Sequence, residues 1–218
     1  MNLWRFILGL FLTAAAGATD AVSFVRLGAV YASFMSGNTV QIGIHLADGH
    51  YAALGAFLAL VGLFMLGSFV GAVIVAKTGA WHLTLILALE AAALALALGL
   101  DLLHRVPLAT TAPLSFAMGA QNHLVVLARG ANPATTFVTG TAFRFADAVA
   151  QRVLGRDPAG AWKLHLAVWA SFAIGAAGGT IAQFVLHEYA LVPIFSLLVV
   201  LTLAALGTKL ARPPAAAG

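Results

Sequence analysis

Two carboxylates stand inside long apolar stretches of the sequence, where a charge is unfavourable. Asp20 lies near the end of the first stretch, and Glu90 is surrounded by Leu and Ala. A charged side chain at the centre of a bilayer is so costly that each carboxylate should face the protein interior or a water-filled path. We predict that Asp20 is a proton or cation site; the alternative is an interfacial ion pair with Arg26. Glu90 is a candidate proton relay.

Two short apolar segments, roughly 30–47 and 133–150, carry a polar centre. The centres are Ser36-Gly37-Asn38-Thr39 and Thr139-Gly140-Thr141. Gly weakens a helix interior by about 1 kcal/mol, and Ser, Asn and Thr compete for backbone hydrogen bonds. We therefore predict that each centre divides its segment into two half-helices, whose N-termini present N–H groups to a ligand. The alternative is that the small residues only let helices pack closely.

The second half of the chain adds further polar candidates. Gln121, Asn122 and His123 are consecutive in an apolar stretch, and Arg144 stands three residues before Asp147. Arg144 and Asp147 share one helix face, so an ion pair between them is the alternative to a role at an anionic substrate. His123 and Asp147 join Glu90 as candidate proton relays. The predicted substrate or ion pathway comprises Asp20, Ser36, Gly37, Asn38, Thr39, Gln121, Asn122, Thr139, Gly140, Thr141 and Arg144.

Enzyme motifs are missing from the sequence. There is no Cys, which excludes disulfides and thiolate chemistry. His187-Glu188 begins like the zinc motif HExxH, but Leu191 stands where the second His is required. We therefore predict no catalytic residue, no metal and no cofactor, and we expect a protein that is not an enzyme.

The composition predicts a protein whose surface faces lipid. Of the 218 residues, 62% are hydrophobic and 8% are charged, and the mean hydropathy is +1.00. Soluble domains contain about 25% charged residues. In lipid only helices and closed barrels satisfy their backbone, and the long unbroken apolar runs favour helices. The net charge of +4 is scattered between apolar segments, so we expect no nucleic-acid partner.

Six stretches are long enough for spanning helices, which need about 20 apolar residues. They are roughly 4–24, 52–76, 82–103, 108–127, 163–186 and 190–209. With the two short segments, the sequence predicts an all-α polytopic membrane bundle in a single domain over 1–218. The lipid bilayer is then its first partner, and a homo-oligomer is left open.

The second half of the chain repeats the plan of the first. Gly17-Ala18-Thr19-Asp20 matches Gly119-Ala120-Gln121-Asn122, 102 residues later, and Phe34-Met35-Ser36-Gly37 matches Phe137-Val138-Thr139-Gly140. A third block, Gly67-x-x-x-Gly71, returns 108 residues later as Gly175-x-x-x-Gly179. We predict an internal duplication, with repeat one over roughly 4–104 and repeat two over roughly 106–210. The paired glycines should be close helix contacts between the halves.

The distribution of positive charge favours an inverted repeat. Arg144 lies within a short segment and is left out of the counts. If six helices cross and the short segments re-enter, eight of the other Lys and Arg lie inside and two outside. If all eight segments cross, seven lie inside and three outside. The positive-inside rule therefore favours re-entrant segments, with both termini cytoplasmic.

One resemblance follows from Gly17-Ala18-Thr19-Asp20-Ala21 and Phe34-Met35-Ser36-Gly37-Asn38-Thr39. The sequence resembles the YoaK-type family of small bacterial integral membrane proteins, a domain of unknown function. The resemblance implies a single domain in the bacterial inner membrane, and little about mechanism.

Duplicated helices with polar residues at membrane depth are typical of transporters. We predict transport of an unidentified small solute, coupled to protons or another ion. A narrow channel and a non-transporting membrane scaffold remain the alternatives.

Overall fold

The computed structural model describes residues 3–26, 28–103, 107–124, 138–156 and 160–210, and no strand occurs within these ranges. The described part of the chain is all-helical, as predicted. Its α-helices are α1 (Leu3–Arg26), α2 (Met35–Ala47), α3 (Tyr51–Thr78), α4 (His82–Leu102), α5 (Pro107–Gln121), α6 (Val138–Val153), α7 (Ala161–Leu186) and α8 (Val192–Leu210).

Several helical runs are long and apolar enough to cross a bilayer. Among the described residues these are Phe6–Arg26, Tyr51–Leu102 and Ala161–Tyr189, with a shorter apolar run in Val192–Thr208. The 52 residues of Tyr51–Leu102 contain both α3 and α4. At about 1.5 Å per residue this run exceeds one bilayer core of about 30 Å more than twofold. These runs mark the chain as a membrane protein.

The first short segment contains one helix, which corrects the predicted pair of half-helices there, and the described part of the second is also one helix. Residues 30–34 are not helical, and α2 starts at Met35 and continues through Ser36–Thr39 to Ala47. Likewise α6 starts at Val138 and contains Thr139–Thr141 in its first turn. Ser, Asn and Thr side chains compete with the backbone for hydrogen bonds in the middle of a helix, but they are favourable at its start, where backbone N–H groups are free. The polar centres accordingly lie at the starts of the two helices. The predicted residues 133–137 and 125–127 lie outside the described part.

Four helices enclose the main hydrophobic core. Fully buried leucines come from each of them: Leu12 from α1, Leu94 from α4, Leu114 from α5 and Leu198 from α8. Outside this core, α7 packs on α1 and α3 packs on α5, while α2 and α6 pack on α3 and α7. Large apolar side chains such as Phe69, at 65% exposure, cover the periphery, as a lipid-facing surface requires.

Close glycine contacts join α7 to α1, as the glycine pattern predicted. A Cβ atom on Gly175 would overlap the carbonyl group of Ala14, and one on Gly179 would overlap that of Ala18. The contacts advance in the same direction along both helices, so α1 and α7 run parallel. Backbones approach this closely only where small residues line the interface.

Similar contacts join α3 to α5. A Cβ atom on Gly67 would overlap the carbonyl group of Phe116, and one on Gly71 would lie too close to the backbone of Ala120. These helices therefore also run parallel. Phe116 and Ala120 lie 102 residues after the α1 partners of the Gly175 and Gly179 contacts.

A pair of matching backbone breaks ends α3 and α7. Gly79 follows α3 with φ +49° and ψ −116°, and His187 follows α7 with φ +51° and ψ −112°. Each starts a short 3₁₀ turn, Gly79–Trp81 and His187–Tyr189. Positive φ is unstrained for Gly but rare for a residue with a side chain, so His187 adopts a costly conformation.

An ion pair joins the C-terminal ends of α1 and α4. The Arg26 Nε atom lies 2.8 Å from Oδ2 of Asp101. Both side chains are largely buried, and each belongs to the last turn or two of its helix. The C-terminal ends of α1 and α4 therefore lie together.

Candidate functional site

Asp20 is buried on α1 and accepts hydrogen bonds from the α1–α2 loop. Its Oδ1 atom accepts a hydrogen bond from the Ser33 backbone N–H, and its Oδ2 atom accepts one from the Ser33 hydroxyl, each at 2.6 Å. The alternative ion pair between Asp20 and Arg26 is wrong, because Arg26 pairs with Asp101. Hydrogen bonds to an ionised acceptor are stronger than neutral ones, so Asp20 ties the loop to α1.

The polar motif at the start of α2 shapes the same loop. The Asn38 side chain is fully buried, donates to the Tyr31 carbonyl oxygen at 2.8 Å and accepts from the Tyr31 N–H at 3.1 Å. Gly37 leaves room for the Phe34 ring, because a Cβ atom there would press on that ring and on Tyr31. Ser36 and Thr39 are exposed. The motif therefore positions Tyr31 and Phe34.

Three aromatic rings of this region contact each other in series. Phe24, on the last turns of α1, stacks on Tyr31 with ring centroids 5.1 Å apart. Tyr31 meets Phe34 edge to face, also at 5.1 Å. Such arrangements are the favoured geometries of aromatic pairs. These three rings form an aromatic wall beside Asp20.

A cavity of about 430 Å³ lies against this wall and Asp20. It is formed by α1, the α1–α2 loop, the first residues of α6 and one face of α7. Its lining residues are Gly17, Asp20, Ala21, Phe24, Val25, Tyr31, Phe34, Val138, Thr139, Phe172, Ala176 and Thr180. Asp20 and Thr139, from two predicted pathway segments, are therefore brought together.

Within the described part of the chain, the cavity is lined by an acidic residue and by no basic one. Asp20 is the acidic residue of the described lining, and Tyr31 is the other ionisable one. Arg26, further along α1, forms an ion pair with Asp101. The nearest predicted basic candidate, Arg144 on α6, is exposed and does not line the cavity. The arrangement suits a cation or a hydrogen-bond donor better than an anion.

The remaining residues of α6 are distributed around that helix. Thr141 is buried, Gly140 is half-buried, and Asp147 is exposed. No ion pair joins Arg144 to Asp147, both of which are described, so the predicted pair is not formed. Asp147 thus lies on the periphery, away from Asp20.

The polar residues at the end of α5 make contacts between helices. Gln121 is fully buried, and its side-chain amide donates to the Leu12 carbonyl oxygen of α1 at 2.9 Å. His123 is half-buried, with Nε2 3.2 Å from the Ser68 hydroxyl of α3. Asn122, between them in sequence, is half-buried. None of the three lines the Asp20 cavity.

Glu90 lies in the bundle core, apart from the cavity. Its side chain is 0% exposed, and neither carboxyl oxygen has a hydrogen-bond partner among the described residues. An unpaired charge there would be very unfavourable, so the carboxyl group is neutral or meets water. Its role as a proton relay stays a prediction.

Sequence reasoning missed the residues that build the cavity around Asp20. Ser33, Tyr31, Phe34 and Phe172 were not among the predicted site residues. Two signals pointed toward them: a buried carboxylate needs nearby donors, and aromatic residues cluster on both sides of the loop. Phe172 belongs to a helix about 150 residues away in sequence and carried no local signal.

A family model described as protein of unknown function (DUF1275) matches residues 8–204. The chain belongs to this family. The DUF1275 match spans α1 to most of α8 and so includes every residue of the cavity lining. No curated protein and no solved structure matches the chain. The family description states no activity, so function is argued from the site.

Proposed function

We propose that this protein moves a small solute across a membrane by alternating access, coupled to protons or another ion. The observation that carries the proposal is Asp20: a buried carboxylate that lines a cavity between helices distant in sequence. Buried carboxylates at membrane depth are costly, and transporters use them as ion or substrate sites.

The proposal includes an internal duplication of the chain. Support comes from contacts that recur at fixed sequence offsets: Gly175 on Ala14 corresponds to Gly67 on Phe116. The helix breaks at Gly79 and His187, 108 residues apart, have nearly the same φ and ψ. Each of these contacts joins one half of the chain to the other, and two similar halves packed in this way are the plan of many transporters.

The proposed topology has three crossings in each half, with α2 and α6 re-entrant. The ion pair of Arg26 with Asp101 supports it, because the C-terminal ends of α1 and α4 then lie at one membrane face. If α1 and α4 both cross, an even number of crossings lies between those ends. With α2 re-entrant, α3 and α4 supply that even number; with α2 crossing, the number is odd.

Odd crossings in each half make the repeats inverted, so both termini lie on one side. The positive-inside rule puts that side in the cytoplasm. We further propose that the membrane is the bacterial inner membrane and that the matched family is the YoaK-type family, on the Gly17–Ala21 and Phe34–Thr39 motifs.

Coupling would act through the hydrogen bonds between Asp20 and Ser33. Ser33 belongs to the loop that enters α2, and α2 packs on α3, whereas Asp20 belongs to α1, which packs on α7. A proton or cation on Asp20 weakens these charge-assisted bonds and frees the loop from α1. The α2–α3–α5 group can then shift relative to the α1–α6–α7 group, which changes access to the cavity.

Currents from proteoliposomes on a solid-supported membrane test the proposal. Cationic, anionic and polar neutral solutes are applied with and without a pH gradient. We expect at least one solute to give a saturating signal that depends on the gradient, and Asp20→Asn to lose that dependence. Asp48→Asn is the matched control, because Asp48 is exposed at the end of α2.

Three outcomes would contradict this proposal. Full pH dependence in Asp20→Asn removes Asp20 from the coupling. A flux that does not saturate and ignores the gradient indicates a channel. A reconstituted, folded protein without flux of any solute indicates a membrane scaffold.

A further inference from the structure

We infer that the cavity beside Asp20 binds an organic monocation with apolar substituents, such as a quaternary ammonium or a protonated alkylamine. The inference names the solute class for the proposed transport and rests on that function only for its biological role. Binding itself requires the cavity alone.

The charge of the cavity lining favours a cation over an anion. Asp20 is 4% exposed and lines the cavity, and among the described residues no Lys, Arg or His contributes to the lining. An anion would meet the carboxylate without a compensating positive group, which is unfavourable in a poorly solvated site. A cation would offset the charge of Asp20. Since Asp20 already accepts two hydrogen bonds from Ser33, the ligand needs to supply charge more than donors.

The aromatic wall favours a cation with apolar substituents. Phe24, Tyr31 and Phe34 contact each other in series, and Phe172 of α7 also lines the cavity. The faces of such rings attract cations within about 6 Å, and aromatic cages are a common way to recognise quaternary ammonium groups. The same rings favour alkyl substituents over water. A hydrated metal ion would find few oxygen ligands here. An organic cation would find both a carboxylate for its charge and aromatic rings for its substituents.

Cavity size fits such a ligand. The volume of about 430 Å³ lies within the range of about 300–1,000 Å³ typical of small-molecule sites. Few polar groups line it besides Asp20, Thr139, Thr180 and the Tyr31 hydroxyl. A ligand with one charge and a largely apolar body therefore matches the lining.

The second half of the chain carries different residues at the positions that correspond to the Asp20 cavity. Ala21 and Ala176 line the Asp20 cavity, and the residues 102 later and 108 earlier are His123 and Ser68. There the His123 imidazole lies 3.2 Å from the Ser68 hydroxyl. Asn122 stands in place of Asp20 and carries no charge. We therefore expect one cation per chain.

Isothermal titration of the purified protein in a neutral detergent tests the inference. The probes are benzyltrimethylammonium, uncharged benzyl alcohol and the anion benzenesulfonate, each corrected by titration into protein-free micelles. We expect benzyltrimethylammonium to bind with a stoichiometry near one and at least about tenfold more tightly than either other probe. This comparison uses the wild-type protein and depends on no variant.

Variants then assign the site. Asp20→Asn and Phe34→Leu should each weaken benzyltrimethylammonium binding about tenfold or more, whereas Asp48→Asn should leave it unchanged. If Asp20→Asn elutes as an aggregate, Phe34→Leu and Tyr31→Leu replace it. Wild-type affinity in Asp20→Asn, equal affinity for benzenesulfonate, or no binding of the cation overturns the inference.

The result separates ligand class from function. If the cation does not bind but another solute shows an Asp20-dependent flux, the inferred ligand class is wrong and the transport proposal stands. Cation binding without any flux in proteoliposomes rejects transport and leaves the binding site intact.

Discussion

Asp20 of α1 receives both of its 2.6 Å hydrogen bonds from a single residue, Ser33. One of these donors is the backbone N–H and the other is the side-chain hydroxyl. These bonds hold the loop against α1, and the neighbouring Tyr31 and Phe34 line the cavity beside the carboxylate. This relationship gives the cavity its shape as well as its charge.

Ser33→Ala tests how strongly this contact holds the loop. The hydroxyl bond to Oδ2 is lost while the backbone bond remains, so we expect a decrease of about 1–3 kcal/mol in the free energy of unfolding. Thermal unfolding in detergent micelles measures it. Ser36→Ala, at an exposed position at the start of α2, should leave the midpoint of thermal unfolding unchanged. Equal midpoints for wild type and Ser33→Ala would mean that the bond does not stabilise the loop.

Gly175→Ala tests the close approach of α7 to α1. The added methyl group would overlap the Ala14 carbonyl group, so the helices must move apart. Overpacking of this type costs about 1–3 kcal/mol. Gly178→Ala is a matched control on the same helix, because nothing lies within 4 Å of its added Cβ atom. Equal midpoints of thermal unfolding for Gly175→Ala and Gly178→Ala would contradict the close packing of α7 on α1.

His187→Gly should stabilise the protein. His187 has φ +51°, a conformation that costs a residue with a side chain about 1–3 kcal/mol and costs Gly little. Gly79→Ala, at φ +49°, should destabilise it for the same reason. The midpoint of thermal unfolding should therefore rise in one variant and fall in the other. Shifts of the same sign would show that these breaks are not set by backbone conformation.

Single cysteines test the proposed topology, since the native sequence contains none. We expect His50→Cys to react with a membrane-impermeant thiol reagent in intact cells, and Arg156→Cys to react only after lysis. That pattern follows if α2 and α6 re-enter, as the Arg26–Asp101 pair supports. If neither cysteine reacts before lysis, all eight segments cross, the repeats run parallel, and the proposed inverted arrangement is wrong.

The sequence by itself was enough to predict the helices and most of their limits. A spanning helix satisfies its own backbone, so its presence depends on apolar length, which is a local property. The close glycine contacts of Gly67, Gly71, Gly175 and Gly179 were also predictable, because their spacing keeps them on one helix face. Asp20 was recognisable as a candidate because a carboxylate in an apolar stretch is unusual.

Tertiary structure alone decided what the polar residues contact. Arg26 was expected beside Asp20 but pairs with Asp101, 75 residues away. Asn38 was expected to face a solute but holds the Tyr31 backbone, and Phe172 joins the cavity from another helix. Helix spacing determines which residues share a face, whereas the partner of that face depends on how helices pack over long sequence separations. The helices were therefore local and predictable, and the cavity between them was not.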